Sequence, residues 1–164
     1  MPVRKQQTFA LKTGRIGLIS DTHGLIRPQA LVALNDVELI VHAGDIGKPE
    51  VIEALRAIAP VAAIKGNNDT GPWARHIPDI LDLHVKDITV RVIHNVHDVE
   101  RNLASAGVHV VISGHSHKPS VEMRDDVLLV NPGSAGPRRF KLPVTVGLLL
   151  LQKADAKAEI IPLL

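Results

Sequence analysis

Residues 14–23 read GRIGLISDTH, an unbroken aliphatic run that stops at Ser20, Asp21, Thr22 and His23. Four further runs end the same way: VELIV (37–41) before His42-Ala43-Gly44-Asp45, VAAIK (61–65) before Gly66-Asn67-Asn68-Asp69, VRVI (90–93) before His94, and VHVVIS (108–113) before Gly114-His115-Ser116-His117. Continuous β-branched and aliphatic runs of this length read as buried strands. Strands that finish at one sheet edge bring their trailing residues together, and open α/β sheets bind ligands at that carboxyl edge. The trailing residues here are Asp, Asn and His, which ligate divalent metals through N and O. The pattern that sets the fold therefore also spells out a metal site.

Between the first three runs lie two short helices. Pro28 suits the first turn of one, Gln29 to Leu34, and Pro49 opens the second, with Glu50 and Glu53 near its N-terminus and Val51, Ile52, Leu55 and Ile58 on one face. The result is a βαβαβ order, the mark of a parallel sheet with helical crossovers. Ile80 to Val85 and Ile88 to Ile93 flank Lys86-Asp87 and read as a hairpin. A helix is expected from Val99 to Ala106, with Asp98 as its N-cap and Gly107 as its stop. Strands at Val108 to Ile112, Ser120 to Met123, Val127 to Val130 and Val144 to Leu151 complete a strand-rich second half. This mixture fits two packed sheets with helices outside.

At 164 residues and 45% hydrophobic, the chain supports one domain with a substantial core. Residues 1–13 are basic and carry no apolar stretch of signal-peptide length, so they are expected as a disordered tail ahead of a single domain at 14–164. Val144 to Leu151 is far too short to span a membrane, and a soluble cytoplasmic protein is the expectation. The formal charge is only +2, and two Phe, one Trp and no Tyr leave few stacking platforms, so bulk nucleic-acid binding is disfavoured. With no cysteine, thiolate ligands and cysteine nucleophiles are excluded, and any metal is held by N and O atoms.

The candidate ligands are Asp21, His23, Asp45, Asn67, His94, His115 and His117. In an extended segment residues two apart face the same side, so Asp21 with His23, and His115 with His117, each make a two-pronged ligand. Seven ligands are too many for one tetrahedral ion and suit two ions sharing a carboxylate, Asp45. Two ions roughly 3.5 to 4 Å apart can clamp the attacking and leaving oxygens of a phosphoryl centre.

Taken in order, Asp21-Thr22-His23, Gly44-Asp45, Gly66-Asn67-Asn68-Asp69, His94 and Gly114-His115-Ser116-His117 resemble the motifs of the calcineurin-like metallophosphoesterase superfamily. With Asn131-Pro132-Gly133-Ser134 and the short length, the chain is most similar to its small phosphodiesterase branch, whose relatives include the retromer scaffold subunit of the same fold. The resemblance spans about Gly14 to Leu151. It implies a four-layer α/β sandwich of two mixed β-sheets flanked by helices, and hydrolysis of a small phosphodiester by a hydroxide bridging two divalent ions, Mn foremost and otherwise Ni, Fe or Zn. Asp21, His23 and His117 would hold the first ion, Asn67, His94 and His115 the second, and Asp45 would bridge. A scaffold of the same fold with weak or no turnover is the alternative, and a homo-oligomer is compatible with either.

Asp45, Asn67 and Asn68 are the residues expected at the reaction. Asn68 departs from the pattern, since larger members of the superfamily carry there a His credited with assisting the leaving group, and Asn95 stands where Gly is usual. His42 and Asp69 are read as hydrogen-bonding supports for the ligands, as is Asn131 of the Asn-Pro-Gly-Ser turn. His76, His84 and His109 read as surface or turn residues, whereas His97, just past His94, faces either solvent or substrate. Arg138, in preference to Arg139 because its position best matches the family's Pro-Arg after the Asn-Pro-Gly-Ser turn, is expected to bind substrate phosphate through its planar guanidinium.

Overall fold

The aliphatic runs form strands, and the strands divide between two sheets. The computed structural model describes residues 2–99 and 102–164. The first half runs β1 (Arg4–Thr8), β2 (Arg15–Ile19), α1 (Pro28–Ala33), β3 (Leu39–His42), α2 (Pro49–Arg56) and β4 (Val61–Ala63). The hairpin β5 (Ile80–Val85) and β6 (Ile88–Ile93) follows, then β7 (Val110–Ile112), β8 (Ser120–Arg124), β9 (Val127–Asn131), β10 (Thr145–Gln152) and β11 (Asp155–Pro162). One sheet is ordered β11-β10-β2-β3-β4 and the other β1-β5-β6-β7-β9-β8.

Both sheets are mixed. In the five-stranded sheet β2, β3 and β4 run parallel, with β10 antiparallel to β2. In the six-stranded sheet β6, β7 and β9 run parallel, while β5 is antiparallel to β6 and β8 to β9, and β1 runs parallel to β5. Each parallel trio sends its C-terminal loops to one rim, and the two rims meet at the Asp and His cluster.

Period-2 alternation explains the layers. Ile16, Leu18, Leu39, Val41, Leu149 and Leu151 face Leu81, Leu83, Val90, Val92, Val110 and Ile112 between the sheets. On the other face of the five-stranded sheet, Ile19, Ile40, Val146 and Leu148 pack against Ala30, Leu34, Val51, Ile52 and Leu55 of the α1 and α2 region. The outer face of the six-stranded sheet buries Ile80, Ile93, Val111 and Val127 beneath Val99 and Leu103. Among the described residues no helix is long and apolar enough to cross a membrane.

Three expectations are corrected. Residues 4–8, assigned to a disordered tail, form β1 and pair in parallel with β5 from Arg4 opposite Ile80 to Thr8 opposite His84. Their side chains RKQQT are all exposed, so what orders them is backbone hydrogen bonding at a sheet edge, which leaves no hydrophobic pattern to read. The helix expected over Val99–Ala106 is not seen at 102–107, which form turns, while positions 100 and 101 lie outside the described residues. Asp98, its expected N-cap, closes a 3₁₀ turn from Val96 to Asp98 that is itself capped by Asn95, whose Oδ1 accepts from the His97 N–H at 3.0 Å. Finally, β11 was not foreseen; it pairs along the whole of β10, and its alternation is too weakly apolar to stand out.

Candidate metal centre

Asp21 follows β2, Asp45 follows β3, His94 follows β6, and His115 and His117 follow β7. These residues must turn away from their strands at once, and five of the seven expected ligands do so with positive φ: Asp21 (54°), His23 (46°), Asp45 (56°), His115 (71°) and His117 (63°). A left-handed conformation is uncommon outside glycine, and non-glycine residues held there cluster at functional sites. Two glycines make the close approach feasible. A Cβ on Gly44, itself at φ +100°, would lie 2.6 Å from His94 Nδ1, and one on Gly114 would lie 2.0 Å from Ser20 Oγ.

The side chains form two compact groups that share Asp21: Asp21 with His23 and His117, and Asp21 with Asp45 and His94, the ligand atoms in each lying within 4.8 Å of one another. Asp21 Oδ1 stands 3.5 Å from His117 Nε2, 3.9 Å from His94 Nε2 and 4.0 Å from His23 Nε2. Asp45 Oδ2 lies between the groups, 3.2 Å from His94 Nε2 and 3.8 Å from His23 Nε2. The His23 and His117 rings stack with centroids 5.4 Å apart, and His115 sets its ring edge-on to His94 at 5.2 Å. His115 and Asn67 are exposed, unlike the buried Asp21, Asp45, His94 and His117. His115 belongs to neither group, and Asn67 shares with His94 the wall of a cavity of about 500 Å³.

The donor set fits cations. Among the described residues Asp21 Oδ1, His23 Nε2 and His94 Nε2 are buried without a hydrogen-bond partner, although each converges on the same small space. Unsatisfied buried polar atoms are costly, and several lone pairs aimed at one point are satisfied by a metal ion. His94 shows this directly. Its Nδ1–H donates to the Ala43 carbonyl at 2.7 Å, so Nε2 faces Asp45 Oδ2 with only a proton or a cation able to sit between them. Burial raises the Asp21 pKa, against the opposing pull of the Ser20 hydroxyl and the His94 and His117 imidazoles, so its carboxylate gains most from a nearby positive charge. Burial also opposes ionisation of Asp45, yet the neighbouring His94 imidazole, the Asn68 N–H and the charge of His23 bring that carboxyl down to about 2.

The expected supports occupy their places. His42 is fully buried, and burial takes its pKa to about 3, so the ring is neutral. Its Nδ1 accepts from the Gly44 N–H at 3.1 Å, which leaves Nε2–H to donate to Thr22 Oγ1 at 3.0 Å, and Thr22 passes its own proton to the Ile46 carbonyl. His42 thus pins the loops that carry Asp21 and Asp45 and has no lone pair left for a metal. Asp69 accepts three backbone N–H groups, from Ile46 (3.1 Å), Gly47 (2.9 Å) and Gly66 (2.9 Å), and so ties the Asp45 loop to the Asn67 loop. Asn131 donates to the Gly114 carbonyl at 2.9 Å and to Ser116 Oγ, bracing the segment that carries His115 and His117.

Two supports escaped the sequence. Ser20 Oγ donates to Asp21 Oδ2 at 2.7 Å, leaving Oδ1 alone to face the imidazoles, and Ser134 Oγ donates to the Asp21 carbonyl at 3.0 Å. The adjacency of Ser20 to Asp21 and the presence of Ser134 in the Asn-Pro-Gly-Ser turn were visible, but hydroxyl direction was not. His97 lines a cavity of about 280 Å³ together with His115 and Asn131. His109, exposed, accepts from the Thr89 N–H as a surface residue, whereas His84, expected at the surface or in a turn, is half-buried within β5, where its ring bonds Thr89 and Gln6. Arg138 Nε donates to the Leu142 carbonyl at 3.2 Å, whereas the cation whose charge reaches His117 is Arg139, which joins burial in lowering the pKa of that imidazole.

Comparison with known proteins sets these features in a lineage. The model of the calcineurin-like phosphoesterase superfamily domain matches residues 15–154. A probable metallophosphoesterase of Methanocaldococcus jannaschii is 36% identical over 155 residues, covering 87% of this chain and 79% of that protein. A phosphodiesterase of the same organism is 31% identical over 159 residues, covering 86% and 95%. Among solved structures, a novel archaeal phosphodiesterase superposes with a TM-score of 0.74 at 29% identity, covering 90% of this chain and 99% of that one. Vps29 of Chaetomium thermophilum gives 0.73 at 16% identity, covering 90% and 97%, a likeness of fold alone.

Proposed function

The chain belongs to the calcineurin-like phosphoesterase superfamily and is a metal-dependent phosphoesterase; on that premise we propose that its substrates are phosphodiesters, hydrolysed at a centre of two divalent ions. The observation that carries this reading is the convergence of Asp21 Oδ1, His23 Nε2 and His94 Nε2, buried and unsatisfied, on Asp45. Asp21, His23 and His117 would hold one ion and Asn67, His94 and His115 the other, with Asp45 between them. Its Oδ2 has an imidazole of each set within 3.8 Å, which supports the bridging role. The chemistry such ions supply when bound is a hydroxide at neutral pH, from water whose pKa falls from ~15.7 toward ~7, and neutralisation of charge on the phosphoryl oxygens.

The chain's own residues supply the geometry. His42, Asp69 and Asn131 fix the loops, so Asp21, His23, Asp45, His94 and His117 already stand together before the reaction. Hydrolysis forms one P–O bond from hydroxide and breaks the P–O bond to the departing alcohol, which leaves as alkoxide or takes a proton. Asn68 cannot donate that proton as an acid. We retain Arg138 as a contact to the scissile phosphate, a role for which its guanidinium would exchange the bond to the Leu142 carbonyl.

Elemental analysis of protein loaded in turn with Mn, Ni, Fe or Zn and freed of excess metal is expected to find two ions per chain. One ion or none at saturation would refute the two-ion centre. Loaded protein should hydrolyse bis(para-nitrophenyl) phosphate, and a screen of cyclic nucleotides, nucleic-acid ends and phospholipid diesters would place the natural substrate. Absence of turnover with every metal would instead favour a binding scaffold, a reading against which the retention of Asn67, His94 and His115 together argues. Arg138→Ala is expected to lower kcat/KM about tenfold, the worth of one charge-assisted contact to phosphate. Steady-state kinetics beside Arg139→Ala would check this, and parental values for Arg138→Ala would place the phosphate contact elsewhere.

A further inference from the structure

Beside the metal cluster lies a shallow cavity of about 810 Å³ lined by Ser116, Lys118, Arg139, Phe140, Lys141 and Leu142. Ser116 stands between His115 and His117, and Lys118 follows them directly, so the cavity shares a wall with the centre. Its composition is unusual for this chain. Only two Phe are present; Phe9 packs partly against the core, and Phe140 is 89% exposed.

Phe140 is also held against its own backbone preference. It is the first central residue of a turn closed by the Leu142 N–H on the Arg139 carbonyl at 3.1 Å, and its φ is +53°. Gly or Asn is the ordinary occupant of such a position, and a bulky residue there is a true outlier. Arg138 clasps the same turn from outside through the Leu142 carbonyl. A braced, exposed aromatic ring among Lys118, Arg139 and Lys141 is a surface for stacking a flat group and holding negative charge. One ring suits one base and not a strand, in keeping with the scarcity of aromatics elsewhere.

We propose that this rim selects the arm of the substrate that is retained: a diester in which that arm is a nucleoside stacked on Phe140, carrying a further phosphate held by Lys118, Arg139 and Lys141. The inference rests on the phosphodiesterase reading and adds the substrate class. A plain diester has one negative charge, which the metal centre meets, so three additional cations beside a ring call for an additional anion on a planar arm.

The test is a series of para-nitrophenyl esters with one departing group and three retained arms: methyl phosphate, thymidine 5′-phosphate, and thymidine 5′-phosphate with a second phosphate at the 3′ oxygen. On metal-loaded protein, kcat/KM is expected to rise about tenfold from methyl to thymidine, the worth of one stacked base. A further rise of about tenfold is expected from the second phosphate. Phe140→Ala should abolish the first ratio, and Arg139→Ala or Lys141→Ala the second. A flat series, or variants that lower all three esters by one common factor, would overturn the proposal. Should no ester turn over, the phosphodiesterase reading fails separately, and calorimetric titration with thymidine 3′,5′-bisphosphate decides. Binding by the parent that is lost in Phe140→Ala upholds the rim, and absent or equal binding overturns it.

Discussion

Asp45→Asn is expected to lower turnover of bis(para-nitrophenyl) phosphate about a thousandfold or more, the largest effect of any single substitution at the centre. Asp45 Oδ2 is the oxygen flanked by one imidazole from each ligand set, at 3.2 Å and 3.8 Å, so exchanging its charge for a neutral amide weakens the hold on both ions together. Folding should survive. The Asn side chain keeps an oxygen for the Asn68 N–H, which Asp45 Oδ1 accepts at 3.0 Å, and it removes a like charge from beside the buried Asp21. Thermal melts should therefore show the metal-free variant as stable as the metal-free parent, or more so, but without the full rise in midpoint that metal gives the parent. Parental turnover in this variant would refute the bridging role.

The second large effect concerns the departing group. Asn68 occupies the position where an acid would protonate the leaving oxygen, and such assistance is typically worth ~10²- to 10⁴-fold. Rates should therefore fall steeply as the departing alcohol becomes more basic, with aryl diesters far ahead of alkyl diesters. Asn68 is exposed and, among the described residues, only its backbone N–H is engaged, so its side chain can be exchanged for His without breaking a bond. Asn68→His is expected to narrow the aryl-to-alkyl ratio by about a hundredfold. A leaving-group series on both proteins checks it. A shallow dependence in the parent would identify another proton donor and point first to His97, which lines a cavity with His115.

Asn95 shows how local departures acquire a meaning only in three dimensions. In the sequence it is a substitution of the usual glycine; in the structure its Oδ1 caps the turn that carries His97. The preference for Arg138 over Arg139 followed motif position, while the fold gives Arg138 to the Leu142 carbonyl and brings the charge of Arg139 to His117. Adjacent residues in a turn point in different directions, and no spacing rule encodes which.

What the sequence determined by itself was the strand-end chemistry. Asp21 and Asp45 could be assigned to one edge because aliphatic runs specify buried strands, and parallel strands in a βαβαβ order share a carboxyl edge; His94 and His117 follow strands of the other sheet, and the fold brings them there because the two rims meet. What only the tertiary structure decided was everything that depends on partners remote in sequence. β1 exists because the edge of β5 offers unpaired backbone groups to Arg4–Thr8; β11 is local by contrast, the hairpin partner of β10, and was hidden only by its weak apolar alternation. The stretch at 102–107 forms turns despite its helical pattern, with Leu103 packed against the outer face of the six-stranded sheet. The centre divides in the same way: ligand identity is a property of side chains and is written in the sequence. Which carboxylate oxygen faces which imidazole is set by Ser20, His42, Asp69 and Ser134, through hydrogen bonds whose directions follow from the folded loops, local for Ser20 and His42 and between segments remote in sequence for Asp69 and Ser134.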